Sequence, residues 1–96
     1  MEKQKALEIL RRYKNEHSDE YGILKIGIFG SVARDEATEN SDVDIVVETE
    51  TPNLFNLVHI KESLEALYHT HVDIVRYRET MNPYLKKYIE QEAIYV

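Results

Sequence analysis

Two aspartates separated by one residue, Asp42-Val43-Asp44, lie ten residues after a glycine–serine pair, Gly30-Ser31. A third aspartate, Asp73, sits near the start of an apolar run, His71 to Arg76 (HVDIVR). Alternate residues of a strand point to one face. If residues 42–48 (DVDIVVE) form a strand, Asp42 and Asp44 share a face and Val43, Ile45 and Val47 take the other. Carboxylates held side by side repel unless a cation lies between them. Hard oxygen ligands of this kind suit Mg²⁺, which keeps waters and takes its remaining ligands from substrate phosphates. Two such ions can activate an attacking hydroxyl and hold a leaving pyrophosphate. A glycine at a strand end lets the backbone approach a phosphate closely. The amides that follow, opening a helix, favour an anion, and Ser31 adds a hydroxyl donor.

The elements that must bring these residues together can be read along the chain. Residues 2 to about 17 carry Ala6, Leu7, Leu10 and Tyr13 at helical spacing. Ile23 to Phe29 (ILKIGIF), bounded by Gly22 and Gly30, reads as a buried strand. Gly27 inside it points to close approach of another backbone or a ligand. Ser31 is placed to cap a short helix over roughly residues 32–37, and 38–41 (TENS) form a turn. After the second strand, residues 54–68 form a helix with Leu54, Leu57, Val58, Leu64, Leu67 and Tyr68 on one side. Residues 71–76 form the third strand. Asn82-Pro83 starts a last helix, which runs to about Glu92 and buries Leu85, Tyr88 and Ile89. The short link between strands one and two predicts an antiparallel pair. The helical link between strands two and three predicts a parallel crossover. Gly30-Ser31, Asp42, Asp44 and Asp73 then converge on one edge of an α/β (α+β) sheet.

Composition bounds what this site can belong to. Ninety-six residues, 43% apolar and 31% charged, suit one domain over residues 1–96 with a single core. Cysteine is absent, which removes disulfides, thiolate zinc sites and cysteine nucleophiles. No apolar run approaches the roughly 20 residues of a membrane span. The N-terminus lacks a signal-peptide core, so the expected location is the cytoplasm. The net charge is −6, and all of it lies in residues 34–50, one arginine against seven carboxylates. That distribution suggests a cation site or a solvated loop, and it argues against sequence-specific nucleic-acid reading. IGIFGS lacks the third glycine of a dinucleotide fingerprint and the Gly-Lys of a P-loop.

Residues 30–47 (GSVARDEATENSDVDIVV) resemble the minimal nucleotidyltransferase signature of the DNA polymerase β-like superfamily: Gly-Ser, ten residues, Asp-x-Asp. Ala33-Arg34 and Ser41 match further positions of the pattern, and Asp73 matches its third carboxylate. The resemblance implies the nucleotidyltransferase fold: a small mixed sheet with helices packed on it. It implies transfer of a nucleoside monophosphate, AMP from ATP, to an acceptor hydroxyl with release of pyrophosphate. Asp42 and Asp44 would bind two Mg²⁺ ions, and Asp73 would bind one and help deprotonate the acceptor. Gly30 and Ser31 would contact phosphates, and Arg34 and Ser41 fall in the same nucleotide-binding segment. Chains of this size resemble the antitoxin subunits that attach AMP to a tyrosine of a HEPN-type toxin. A site this small takes its missing walls from such a partner or from a second copy in a homo-oligomer.

Blander readings stand beside these. A lone Asp-x-Asp is common, and only the glycine–serine pair at its fixed spacing makes it specific. Arg34 could clamp a phosphate or pair with an acidic neighbour such as Asp35. His69 and His71 have no third ligand nearby and read as surface histidines. Tyr77, Tyr84, Tyr88 and Tyr95 gather in the last 20 residues, as core or as a partner interface. A rival function is a binding subunit with a vestigial pocket that masks a partner without catalysis.

Overall fold

A computed structural model describes all 96 residues. Helix α1 (Lys3–Tyr21) buries Ala6, Leu7, Leu10 and Tyr13. It runs a turn further than its apolar stripe predicts. It ends where Gly22 turns left-handed, at φ 63°, and donates its N–H to the Ser18 carbonyl. Strand β1 (Ile23–Phe29) has the predicted bounds. Helix α2 (Gly30–Ala33) is earlier and shorter than expected. Ser31 lies inside it and caps nothing. Asp35 stops it by adopting a left-handed φ of 59°, which a short polar side chain tolerates.

Strand β2 (Val43–Thr49) begins one residue after Asp42. Helix α3 (Leu54–Tyr68) is capped by Asn53, whose side chain accepts the Asn56 N–H at 3.1 Å. Its buried stripe is Ile60, Leu64 and Tyr68. Leu54, Val58 and Leu67, expected inward, are exposed. Ile60 supplies the i, i+4, i+8 spacing that the core selects. Strand β3 (Val72–Arg76) follows. Helix α4 (Pro83–Glu92) starts as predicted, with Asn82 accepting the Tyr84 and Leu85 N–H groups at 2.9 and 3.1 Å. A two-residue strand β4 (Ile94–Tyr95) was not expected.

The sheet order is β3-β2-β1-β4. β1 pairs with β2 antiparallel and β2 with β3 parallel, as the link lengths require. β4 joins the other edge of β1, antiparallel, opposite Gly27 and Ile28. Gly27 is small because that backbone passes over it: a Cβ there would lie 2.6 Å from the Ile94 carbonyl oxygen.

The two faces are unequal. Ile26, Ile28, Val43, Ile45, Val47 and Val72 join α1 and α3 in a core of sixteen buried residues. The opposite face has three, Phe29, Val46 and Ile89, with Leu85, Val75 and Met81 around them. Asp44 falls between Val43 and Ile45 in the alternation of β2, so it lies on this second, thinly covered face. No helix is long and apolar enough to cross a membrane.

Candidate active site

The parallel register sets Asp44 beside Asp73, and the antiparallel register sets Phe29 on the other side of Asp44. The end of β1 and the starts of β2 and β3 therefore meet at one place. Asp73 alternates with Val72 and Ile74, which face the large core, so it lies on the Asp44 face. Gly30, the first residue past β1, has φ 73°. A Cβ on it would lie 2.2 Å from Asp44 Oδ2 and 3.1 Å from Asp44 Cγ. The glycine is there because the Asp44 carboxylate fills the space a side chain would need.

This packing is felt electrostatically. Asp44 is half-buried, while Asp42 and Asp73 are exposed. Burial first, then repulsion from Asp73 and from Asp42, raises the Asp44 carboxyl above its ordinary value. Arg34 acts in the opposite direction. Oxygen donors gathered beside a carboxylate whose charge is disfavoured are a set that could hold a divalent cation. The side chains are not yet gathered into a coordination cage.

The other predicted positions divide. Ser31 is half-buried within α2, next to Gly30. α2 has only four residues, too short for a substantial helix dipole. An anion approaching this turn would meet individual backbone amides rather than a helix dipole. The acidic neighbour Arg34 engages is Glu36, at 3.4 Å from Nε, and not Asp35. Its Nη1 also donates to the Tyr88 hydroxyl. Ser41 is turned into its own loop: its Oγ accepts the Thr38 N–H at 3.0 Å and lies 3.3 Å from the Thr38 hydroxyl. Its visible work is to close the turn that delivers Asp42.

Tyr88, like Leu54, Val58 and Leu67, lies further out than its spacing predicts. Expected in the core, it is 36% exposed. It stands edge-on to Phe29, with ring centroids 6.0 Å apart and planes at 81°. No local signal marks it, because its position depends on where α4 crosses the sheet. His71 pairs with Glu65 at 3.6 Å and gathers no metal set.

Residues 10–96 match the nucleotidyltransferase domain family. The chain belongs to that family. It is a nucleotidyltransferase, and relatives match it over most of its length. It is 41% identical over 90 residues to MJ0126 of Methanocaldococcus jannaschii, assigned as a protein adenylyltransferase, covering 93% of this chain and 92% of that one. It is 39% identical over 89 residues to the protein adenylyltransferase MntA of Thermococcus cleftensis, covering 92% and 89%. A solved structure assigned as a minimal nucleotidyltransferase superimposes with a TM-score of 0.78 at 34% identity, covering 98% of this chain and 95% of the other. A toxin–antitoxin complex with AMP-PNP shares the fold, with a TM-score of 0.72 at 21% identity, covering 99% and 72%.

Proposed function

We propose that residues 1–96 act as one minimal nucleotidyltransferase domain. It transfers AMP from ATP to a hydroxyl of a protein partner, a tyrosine of a HEPN-type toxin, and so serves as an antitoxin in the cytoplasm. The observation that carries the reading is Asp44 lodged against the bare Cα of Gly30, with Asp73 in register beside it and Asp42 two residues before. The likeness to the adenylyltransferase MntA supports a protein acceptor. Fold neighbours solved as complexes of an MNT antitoxin with a HEPN toxin, one of those toxins tri-AMPylated, point to the partner class.

In this reading the acceptor oxygen forms a bond to the α-phosphorus of ATP. The bond from that phosphorus to the bridging oxygen breaks, and pyrophosphate leaves. Gly30 and Ser31 contact the phosphates, Ser31 through its hydroxyl. Arg34 offers its spare guanidinium protons to the triphosphate. Asp73, which is exposed, takes the acceptor's proton. Asp42, Asp44 and Asp73 would hold Mg²⁺, two ions when nucleotide is bound, which supplies neutralisation of the triphosphate charge.

The test is incubation of the purified protein with Mg²⁺-ATP and its HEPN-type partner. Pyrophosphate release is measured together with the intact mass of the partner. Wild-type protein is expected to add nucleoside monophosphate to a partner tyrosine. Asp42→Asn and Asp44→Asn are expected to abolish the addition while folding normally. Tight binding of the partner with no transfer would favour the masking subunit instead. Full activity in both variants would remove the carboxylates from the mechanism.

A further inference from the structure

We infer that Tyr88 is a positioning residue for nucleotide binding, acting through Arg34. The inference rests on the reading above, in which Arg34 meets the triphosphate. An arginine side chain is long and flexible, and freezing one costs rotamer entropy. Arg34 follows a four-residue helix and precedes a residue in the left-handed region. Its backbone neighbourhood alone gives the guanidinium no fixed direction. Two side chains do. Glu36 takes the Nε proton, and the Tyr88 hydroxyl oxygen takes one proton of Nη1.

The anchor is itself anchored. The Tyr88 ring meets the Phe29 ring edge-on, an arrangement aromatic pairs favour. Phe29 is buried, immediately precedes Gly30, and is the register partner of Asp44. Tyr88 is adjacent in sequence to Ile89, the fully buried residue of α4. The phenol oxygen is thereby fixed relative to the same strand end that carries the candidate phosphate site.

A guanidinium has five N–H donors. Two are spent, on Glu36 and Tyr88, so the second Nη1 proton and both Nη2 protons remain. The Arg34 backbone N–H donates to the Gly30 carbonyl at 3.1 Å, so its side chain springs from the same turn as the candidate phosphate site. A guanidinium held at one side with donors to spare is suited to an anionic group arriving beside Asp44. Pre-orientation by Tyr88 removes part of the ordering cost from nucleotide binding. It leaves the reacting groups untouched.

The probe is AMP-PNP with Mg²⁺, titrated calorimetrically into the full chain. Tyr88→Phe keeps the ring against Phe29 and deletes only the oxygen. It is expected to weaken AMP-PNP roughly three- to tenfold, the range of one lost hydrogen bond. KM for ATP should rise by the same factor, with kcat within about twofold of wild type. Arg34→Ala should weaken AMP-PNP further, and adding Tyr88→Phe to Arg34→Ala should change nothing more, because the tyrosine has no other route to the nucleotide. A second measurement needs no ligand: NMR relaxation of the Arg34 Nε–H should report greater mobility in Tyr88→Phe.

Additive losses in the double variant would show a general structural role and overturn the inference. Unchanged affinity and unchanged Arg34 mobility in Tyr88→Phe would overturn it too. Weakened binding in Arg34→Ala with none in Tyr88→Phe leaves the nucleotide reading standing and removes only Tyr88. Unchanged binding in Arg34→Ala removes Arg34 from the nucleotide site and the inference with it.

Discussion

Gly30→Ala tests the contact around which the site is built. Gly30 has φ 73°, where a residue with a Cβ costs about 1–2 kcal/mol. Replacing glycine also restricts the unfolded chain, which returns about 0.4–1 kcal/mol. The added methyl would sit 2.2 Å from Asp44 Oδ2, so the carboxylate must turn away. Overpacking of this kind costs about 1–3 kcal/mol. The net loss is about 1–5 kcal/mol, each kcal/mol lowering Tm by about 4–8 °C for a domain of this size. The assay is thermal unfolding of Gly30→Ala in two backgrounds, wild type and Asp44→Ala. Without the carboxylate only the backbone cost remains, about 1 kcal/mol. The two substitutions should therefore couple by about 1–3 kcal/mol. Pyrophosphate release should be lost in Gly30→Ala even below its unfolding temperature, because Asp44 has been displaced. Equal costs in the two backgrounds, or an active Gly30→Ala protein, would refute the claim that this glycine makes room for that aspartate.

Three other outcomes are expected. Asp44→Asn should be more stable than wild type at neutral pH, by thermal unfolding. Folding raises the Asp44 pKa, so ionising it costs stability; that cost is absent well below the unfolded value, grows as pH rises through the unfolded and folded values, and is full above both. The advantage of Asp44→Asn should therefore vanish in acid, and a variant without an advantage at neutral pH would contradict the crowding of carboxylates. Gly27→Ala places a Cβ 2.6 Å from a backbone oxygen that cannot rotate away, so β4 should detach. Faster hydrogen exchange at Val96, whose N–H bonds the Ile26 carbonyl, should accompany a loss of about 1–3 kcal/mol, with AMP-PNP affinity retained. Asn82→Ala removes an acceptor shared by two N–H groups of α4 and should cost about 1 kcal/mol in denaturant unfolding.

Features with a local cause were legible in the sequence. β1 is bracketed by Gly22 and Gly30, and α4 opens on the Asn82-Pro83 pair, so those limits could be read directly. Link length predicted the two strand pairings, and with them the meeting of Asp44, Asp73 and Gly30. What escaped depends on distant partners or on single dihedral angles. α2 ends early because Asp35 turns left-handed, a choice aspartate allows but does not announce. β4 is two residues long and exists because Gly27, far away in the chain, leaves space for it. The stripe of α3 is decided by the core, which takes Ile60 and leaves Leu54 in water. Arg34 illustrates the same limit at the site: its acidic neighbour was foreseen in kind, but the phenol from α4 was not.

The lopsided sheet has a further meaning. Most of the buried apolar mass lies under α1 and α3, whereas α4 is held by a handful of side chains. Cooperative units with little burial open at lower free energy than the whole molecule. Helix α4 is thus the segment the protein can lift away most easily, uncovering the sheet face that carries Asp44 without unfolding the rest. Scaffold and workplace occupy opposite sides, so the working side is free to diverge, or to be remade against another surface, while the larger side keeps the chain folded.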